Sequence, residues 1–476
     1  MSIAAMVVSM MQTLPIPILG LIQKDLGASV SNISWVTTAT LLSAAVFTPL
    51  LGRFGDQHGK KQTLVAVLGV MVVGTVIAAL AQTLPLLILG RVLQGAATAI
   101  FPLALSVLRE EVRPHKLPGA MALVSGTLAF GSGLALVATG LLTSGSDADY
   151  RKAFWMATAF AVLALAAVVI MVPVTRQKTG GRTDLLGALS LGITLLLLLL
   201  AISQGNEWGW TSGRTLGAFT GAVGMAAVWV LVELKVREPL VDMRMFTHRP
   251  VLMANLAGIL VGFGMFANFL GISYLVQMPK SLTGYGFDAS ILRASVEFLL
   301  PGAIISLLAS PLGGRLVWYR GPRVVLGLAA VLGAAGFAWL ALDHSHTASV
   351  IGAGLIVGVA VSFGYAAMPA VIMANVPHHQ SGIANGINSI SRSTGSAIGS
   401  AIVTTLLAST TIKNLPPGAP TLPAESGFTL TFVIAALSFA LVGLVSWLGL
   451  RTGHRPRAVE MTTQTITPST AQASGV

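Results

Sequence analysis

The polar residues that interrupt long apolar runs are the ones that could do chemistry in this chain. Arg91 and Gln94 lie three residues apart inside such a run, so a helix brings a fixed cation and an amide to one face. A charge in the middle of a membrane-length helix costs roughly 2.5–3.5 kcal/mol by the mildest scales, and it marks a functional site unless the side chain snorkels to the interface. Glu297 stands one turn after Arg293 and one turn before Pro301, inside a run otherwise free of acids. Buried, it would bind a proton or cation in the outer part of a cavity; at an interface, a Glu–Arg pair contributes only about 0.2–0.5 kcal/mol. Asn388 and Arg392 are four residues apart, with Asn385 beside them, and form a polar seam on one helix face. Gln12, Thr13, Asn255 and Asn268 are further hydrogen-bonding positions, suited either to a cavity or to a neighbouring helix.

Other chemistries find no residues to carry them. There is no cysteine, and the eight histidines fall in predicted loops or tails, so no metal site is expected. No Gly-Lys-Ser/Thr phosphate loop occurs, which argues against ATP-driven work, and no cofactor is expected. No run holds a nucleophile–base pair or a catalytic set of acids, which disfavours an enzyme or a receptor.

The elements that must position these residues follow from composition. The chain has 476 residues, 54% hydrophobic and 9% charged, against about 25% charged in soluble domains. Long apolar runs of that kind read as membrane-spanning helices of about 20 residues each. Fourteen are expected, near 3–23, 32–51, 62–82, 84–107, 117–143, 153–173, 184–203, 213–234, 251–276, 294–313, 323–342, 349–375, 383–409 and 428–450. Pro15 and Pro17 should kink or break the first, which has no signal-peptide character and should stay. The net charge of +12 is dispersed over short loops, without the continuous basic face that nucleic acid would need. It suits anionic lipid headgroups instead.

One string organises the rest. Gly52-Arg53-Phe54-Gly55-Asp56-Gln57-His58-Gly59-Lys60-Lys61 reads as a tight basic loop between the second and third spans. Asp56 there suits a positive helix N-terminus or a partner Arg. Placing this loop inside puts 19 of the 28 Lys and Arg inside and seven outside, with Arg91 and Arg392 within spans, so both termini are expected in the cytoplasm. The string is weakly echoed by Gly314-Arg315-Leu316-Val317-Trp318-Tyr319-Arg320-Gly321-Pro322-Arg323, where Trp318 replaces the Asp. An internal repeat of that kind suggests two related halves with a site between them.

The ordered G-R-x-G-D-x-x-G-K-K string resembles the signature between the second and third helices of the major facilitator superfamily of transporters. Arg91-Val92-Leu93-Gln94-Gly95 is similar to the fourth-helix motif of its proton-coupled members. Glu207-Trp208-Gly209-Trp210 and Ser381–Gly399 look like patterns of its fourteen-helix drug:proton antiporter branch. The resemblance implies an all-α polytopic membrane protein of two six-helix bundles plus two extra helices. The chain is expected to divide as 1–174 and 251–450 for the bundles and 175–250 for the insertion, with 451–476, rich in Thr, Ser, Gln and Ala, as a disordered cytoplasmic tail. The resemblance implies Asp56, with Gly52, Arg53, Gly55, Gly59, Lys60 and Lys61, as a cytoplasmic latch. Arg91, Gln94 and Glu297 are expected to couple protons to export of a hydrophobic, antibiotic-like or cationic compound, by a monomer in the cell membrane. Two departures stand against antiport. The fifth helix, glycine-rich at Gly126, Gly131, Gly133 and Gly140, has Ala135-Leu136 where that branch has Gly-Pro. The first span has Met11, Ile16 and Gly20 where the branch has Asp, Asn and Pro. A facilitator or symporter without proton exchange is the alternative.

Overall fold

The computed structural model describes residues 1–28, 33, 35–142, 149–173, 184–236, 239, 243, 248–377, 380–412 and 422–449. The polar joint at 175–183, Arg237, Arg244, Lys413 and the tail 451–476 lie outside the described residues. The long elements are α1 (Ser2–Thr13), α2 (Trp35–His58), α3 (Lys60–Leu80), α4 (Leu84–Glu111), α5 (Leu117–Leu142), α6 (Tyr150–Met171) and α7 (Leu185–Trp208). They continue with α8 (Gly213–Lys235), α9 (Arg249–Gln277), α10 (Ile291–Arg320), α11 (Pro322–Leu342), α12 (Thr347–Asn375), α13 (Ser381–Ser409) and α14 (Glu425–Gly449). Among the described residues, eleven of these are long and apolar enough to cross a membrane. Two shorter apolar stretches, Ser2–Ile18 and Leu186–Ile202, accompany them, and α13 is long but polar.

Helix irregularities follow the prolines and glycines. After α1 the chain makes a 3-10 turn at Ile16–Ile18 and resumes as a short helix over Leu19–Leu26, because Pro15 and Pro17 cannot donate back along the helix. In α10 a π-turn over Ala294–Leu299 precedes Pro301, whose ring excludes the carbonyl one turn before it.

Helices α1–α6 share one buried core that runs through Val8, Met11, Leu68, Leu87 and Phe154. Helices α9–α14 share a second, through Val261, Phe298, Phe337, Tyr365 and Phe439. The halves meet along α5 and α10, where a methyl group at Gly126 would lie 1.8 Å from Ser310 Oγ. Only a residue without a side chain permits that approach. Helix α7 packs against α2 and α13 together, through Leu42, Leu199, Ile202, Ala397 and Ala401, so it lies across the groove between the halves. Asp184, at the edge of the polar joint, caps α7 by accepting from the Gly187 N–H at 2.8 Å.

Gly52–Lys61 is not the loop its glycines and charges suggest. Helix α2 runs on to His58, Gly59 alone turns the chain at φ +121°, and α3 begins at Lys60. A side chain at that φ would be strained. The echo in the second half uses the same device, with Gly321 at φ +82° between α10 and α11. The correspondence extends to contacts. Lys61 donates to the Val169 carbonyl at the end of α6 (3.0 Å), and Arg323 donates to the Trp447 carbonyl at the end of α14 (3.1 Å). In each half a cation sits at a helix C-terminus, where the unpaired carbonyls and the dipole favour it.

Candidate functional site

Two inter-half features emerge, a closed end and a cavity beyond it. At the closed end, the buried Asp56 carboxylate of α2 accepts from the Gly382 N–H in the first turn of α13, at 3.1 Å. Lys60, also buried, bridges Asp56 (3.7 Å) and Glu110 of α4. Arg109 of α4 donates to the Met373 and Val376 carbonyls at the end of α12, at 2.7 and 3.0 Å. Ser106 Oγ and Ser381 Oγ are 3.4 Å apart. The first half therefore offers an anion to the N-terminus of α13 and a cation to the C-terminus of α12, each matched to the helix dipole it meets. The partner expected for Asp56, the next helix or an Arg, is instead a helix start 326 residues away and Lys60. Gly52 and Gly382 let helices α2 and α13 approach here, since a methyl group on Gly382 would lie 2.6 Å from the Asp56 carboxylate.

Asp56→Ala is expected to slow the transport cycle about tenfold, because a hydrogen bond to a charged group contributes about 1.5–3 kcal/mol to the closed arrangement. Initial flux normalised to membrane-inserted protein checks it. Unchanged flux would remove the latch reading.

The cavity lies between the halves, past the midpoint of the helices as counted from the latch. Its volume is about 70 Å³, room for about five waters. Thr13 (α1) and Ser132 (α5) face Met265, Asn268 and Phe269 (α9), Phe298 and Ser306 (α10), and Val361 (α12) across it. Of the cavity candidates singled out in the sequence, Thr13 and Asn268 line this space, with Gly133 of the glycine-rich α5 beside them. Gln12 is half-buried and is not part of the lining. Ser132 and Ser306 gave no sequence signal, because isolated serines among small residues are common in packed membrane helices.

Arg91 is 1% exposed and does not snorkel. Its Nε donates to the Val36 carbonyl (2.8 Å), one Nη donates to the Met11 carbonyl (2.8 Å), and the same nitrogen reaches Gln94 Oε1. Thr40 Oγ1 closes the set by donating to the Arg91 carbonyl at 3.2 Å. Arg91 thus ties α1, α2 and α4 together inside the first half.

Arg392 and Asn388 lie on one face of α13, and Asn255 of α9 joins them. Arg392 donates to Asn388 Oδ1 (2.6 Å), and Asn388 donates to Asn255 Oδ1 (3.2 Å) and the Ala254 carbonyl (3.0 Å). Asn385 donates to the Ser381 carbonyl at 2.9 Å. The Arg392 guanidinium lies between two aromatic faces, 4.8 Å from Phe101 of the first half and 5.0 Å from Tyr365 of the second. This seam lies outside the cavity lining.

Glu297 is not brought to the cavity. It pairs with Arg293 at 2.6 Å, with side chains 34% and 48% exposed, while its neighbours Phe298 and Leu299 form the wall. The expectation of a site in the outer part of the cavity is corrected accordingly. The π-turn shifts the register by a residue, so the aromatic rather than the acid turns inward.

The profile of the Major Facilitator Superfamily matches residues 1–400 and, in an overlapping match, 298–472. The chain belongs to that superfamily. It is 27% identical over 394 residues to the tetracenomycin C resistance and export protein of Streptomyces glaucescens, covering 82% of this chain and 71% of that protein. It is 28% identical over 466 residues to the puromycin resistance protein pur8 of Streptomyces alboniger, covering 94% and 89%. A multidrug resistance protein B homolog of Mycobacterium tuberculosis is 26% identical over 395 residues, covering 80% and 70%. Among solved structures, the human organic anion transporter MFSD10 has a TM-score of 0.62 at 13% identity, with 94% and 97% of the two chains covered. The proton:xylose symporter XylE has a TM-score of 0.63 at 14% identity, with 94% of each covered, and these two likenesses bear on the fold alone. The major facilitator chain is therefore a multi-pass membrane transporter with resistance and export proteins among its relatives.

Proposed function

We propose that this chain exports a hydrophobic, antibiotic-like compound in exchange for protons, by alternating access between two six-helix halves. The observation that carries the reading is the Asp56–Gly382 bond, which closes one end of the inter-half space while a cavity remains beyond it. The bias of Lys and Arg supports placing the closed end and both termini in the cytoplasm, and in this reading the membrane is the cell membrane. In this reading the structure is the outward-facing state of a monomer, with helices α1–α6 and α9–α14 as the moving bodies. Helices α7 and α8 are the two-helix addition that completes fourteen spans.

Proton coupling falls outside the cavity. An Arg side chain does not give up its proton in proteins, so Arg91 with Gln94 holds a conformation rather than relaying charge. The carboxylate placed to sense protons at an inter-half contact is Asp56, which accepts from the Gly382 N–H.

The test uses inside-out vesicles with an imposed pH gradient, a pH-sensitive dye and a panel of hydrophobic antibiotics. A compound that dissipates the gradient only when the protein is present supports proton exchange. Glu297→Gln is expected to stay within about twofold of wild type, because an exposed ion pair contributes about 0.2–1 kcal/mol. Loss of coupling in that variant would return Glu297 to the mechanism. A second reading, a facilitator, is favoured by one observation: among the described residues, no Asp, Glu or His lines the cavity. Flux of labelled compound with no proton movement would establish it.

A further inference from the structure

We infer that the compound carried is uncharged, with one hydrogen-bond donor and one acceptor on an aromatic or aliphatic body, and that this transporter rejects permanent cations. The inference rests on the export reading above and names its substrate class. The cavity between the halves is walled by Met265, Phe266, Phe269 and Phe298, and among the described residues every one that lines it is uncharged.

Two buried polar atoms in that lining have no partner, Asn268 Oδ1 and Ser306 Oγ. Ser306 is 1% exposed, on α10, and Asn268 is on α9. A buried carbonyl oxygen without a donor and a hydroxyl without a partner are costly, and a ligand that satisfies both recovers that cost. Asn268 Oδ1 calls for a donor on the ligand, and the Ser306 hydroxyl can give its proton to an acceptor.

Charge placed there meets the opposite situation. A desolvated cation is best held by a carboxylate or a cluster of oriented oxygens, and among the described residues the lining supplies no carboxylate, leaving only the cation–π attraction of its phenylalanines, about 0.5–2 kcal/mol. The charge behind the wall is positive. Tyr365 Oη contacts the sulfur of the lining residue Met265 at 3.2 Å, and the Arg392 guanidinium lies 5.0 Å from the Tyr365 ring centre. The buried Arg91 adds a second cation to the bundle interior. Both fields raise the free energy of a cation in the cavity and leave a neutral molecule unaffected.

The experiment uses proteoliposomes and three matched pairs of probes. In each pair a neutral amine with an N–H donor and a carbonyl acceptor, such as 7-amino-4-methylcoumarin, is set against its trimethylammonio counterpart. Flux is read by chromatography against empty liposomes. Neutral members are expected to move at least tenfold faster than their cations. Asn268→Leu and Ser306→Ala are expected to slow the neutral members severalfold. Asn268→Asp is expected to admit the quaternary members, a gain that misfolding cannot imitate. Cations carried as fast as their neutral partners by wild type would overturn the inference and leave export standing. Unchanged cation flux in a folded Asn268→Asp protein would also overturn it. Movement of none of the six probes would overturn both the inference and the export reading.

Discussion

Oxidising the double variant Ser106→Cys/Ser381→Cys is expected to stop transport completely, and a reductant is expected to restore it. The two hydroxyl oxygens face each other across the halves at 3.4 Å, within one residue of the Gly382 N–H that Asp56 accepts. A disulfide needs its sulfurs at about 2.05 Å, which a small rotation of two cysteine side chains can supply from that starting distance. The chain contains no cysteine, so the introduced pair reports without background. The bond would replace a contact that thermal motion can open with one that it cannot. If the halves must part at this end once in each cycle, every molecule so linked is stopped. Thiol titration before and after oxidation counts the linked fraction, and flux should fall in proportion to it. Each single variant should transport normally. A fully linked protein that still transports would mean that this end never opens, and alternating access about the Asp56 latch would fail with it.

The comparison with Asp56→Ala separates two roles of the same contact. Removing the carboxylate leaves Lys60 paired with Glu110 and Arg109 bonded to the end of α12. The closed state is weakened but not abolished, so the cycle slows. The disulfide acts on the opening step, and its effect has no upper bound.

How much of this was legible in the chain depends on the range of the interaction. Apolar runs and prolines are local, and they place the helices and the break after α1 with little loss. The Arg293–Glu297 pair is also local, four residues on one helix, and it forms at 2.6 Å. Its orientation is not local, because a π-turn ahead of Pro301 decides which of Glu297 and Phe298 faces inward. The Gly52–Lys61 string shows a second limit. Three glycines invite a loop, yet two of them are packing positions within α2 and only Gly59 turns the chain. Packing glycines and turning glycines carry the same letter. The bond from Gly382 to Asp56 spans 326 residues, and no periodicity announces it. The repeat between Gly52–Lys61 and Gly314–Arg323 was legible as spacing, and its physical content proved to be a shared turn and a shared cation at a helix end.

Arg91→Ala is expected to lose most of the folded protein, and Pro15→Ala in the same chain is expected to recover part of it. The argument starts from Pro15, which has no N–H to give to the carbonyl four residues before it, that of Met11. In water such a carbonyl would be hydrated, whereas in a bilayer it must be satisfied within the protein. Arg91 donates to it at 2.8 Å and to the Val36 carbonyl of the neighbouring helix at 2.8 Å. One side chain on α4 therefore repairs a break in α1 and fixes α2 beside it. Truncation leaves that carbonyl unpaired and opens a void in a site that is 1% exposed, a loss of about 2–5 kcal/mol. Pro15→Ala returns an N–H to Met11 and should offset about 1–3 kcal/mol of it. Melting temperatures of the purified protein in detergent, arranged as a double-mutant cycle, read the coupling directly. A positive coupling assigns Arg91 to the architecture of the first half. An Arg91→Ala protein that melts like wild type but does not transport, with no rescue by Pro15→Ala, would assign it to the transport cycle instead.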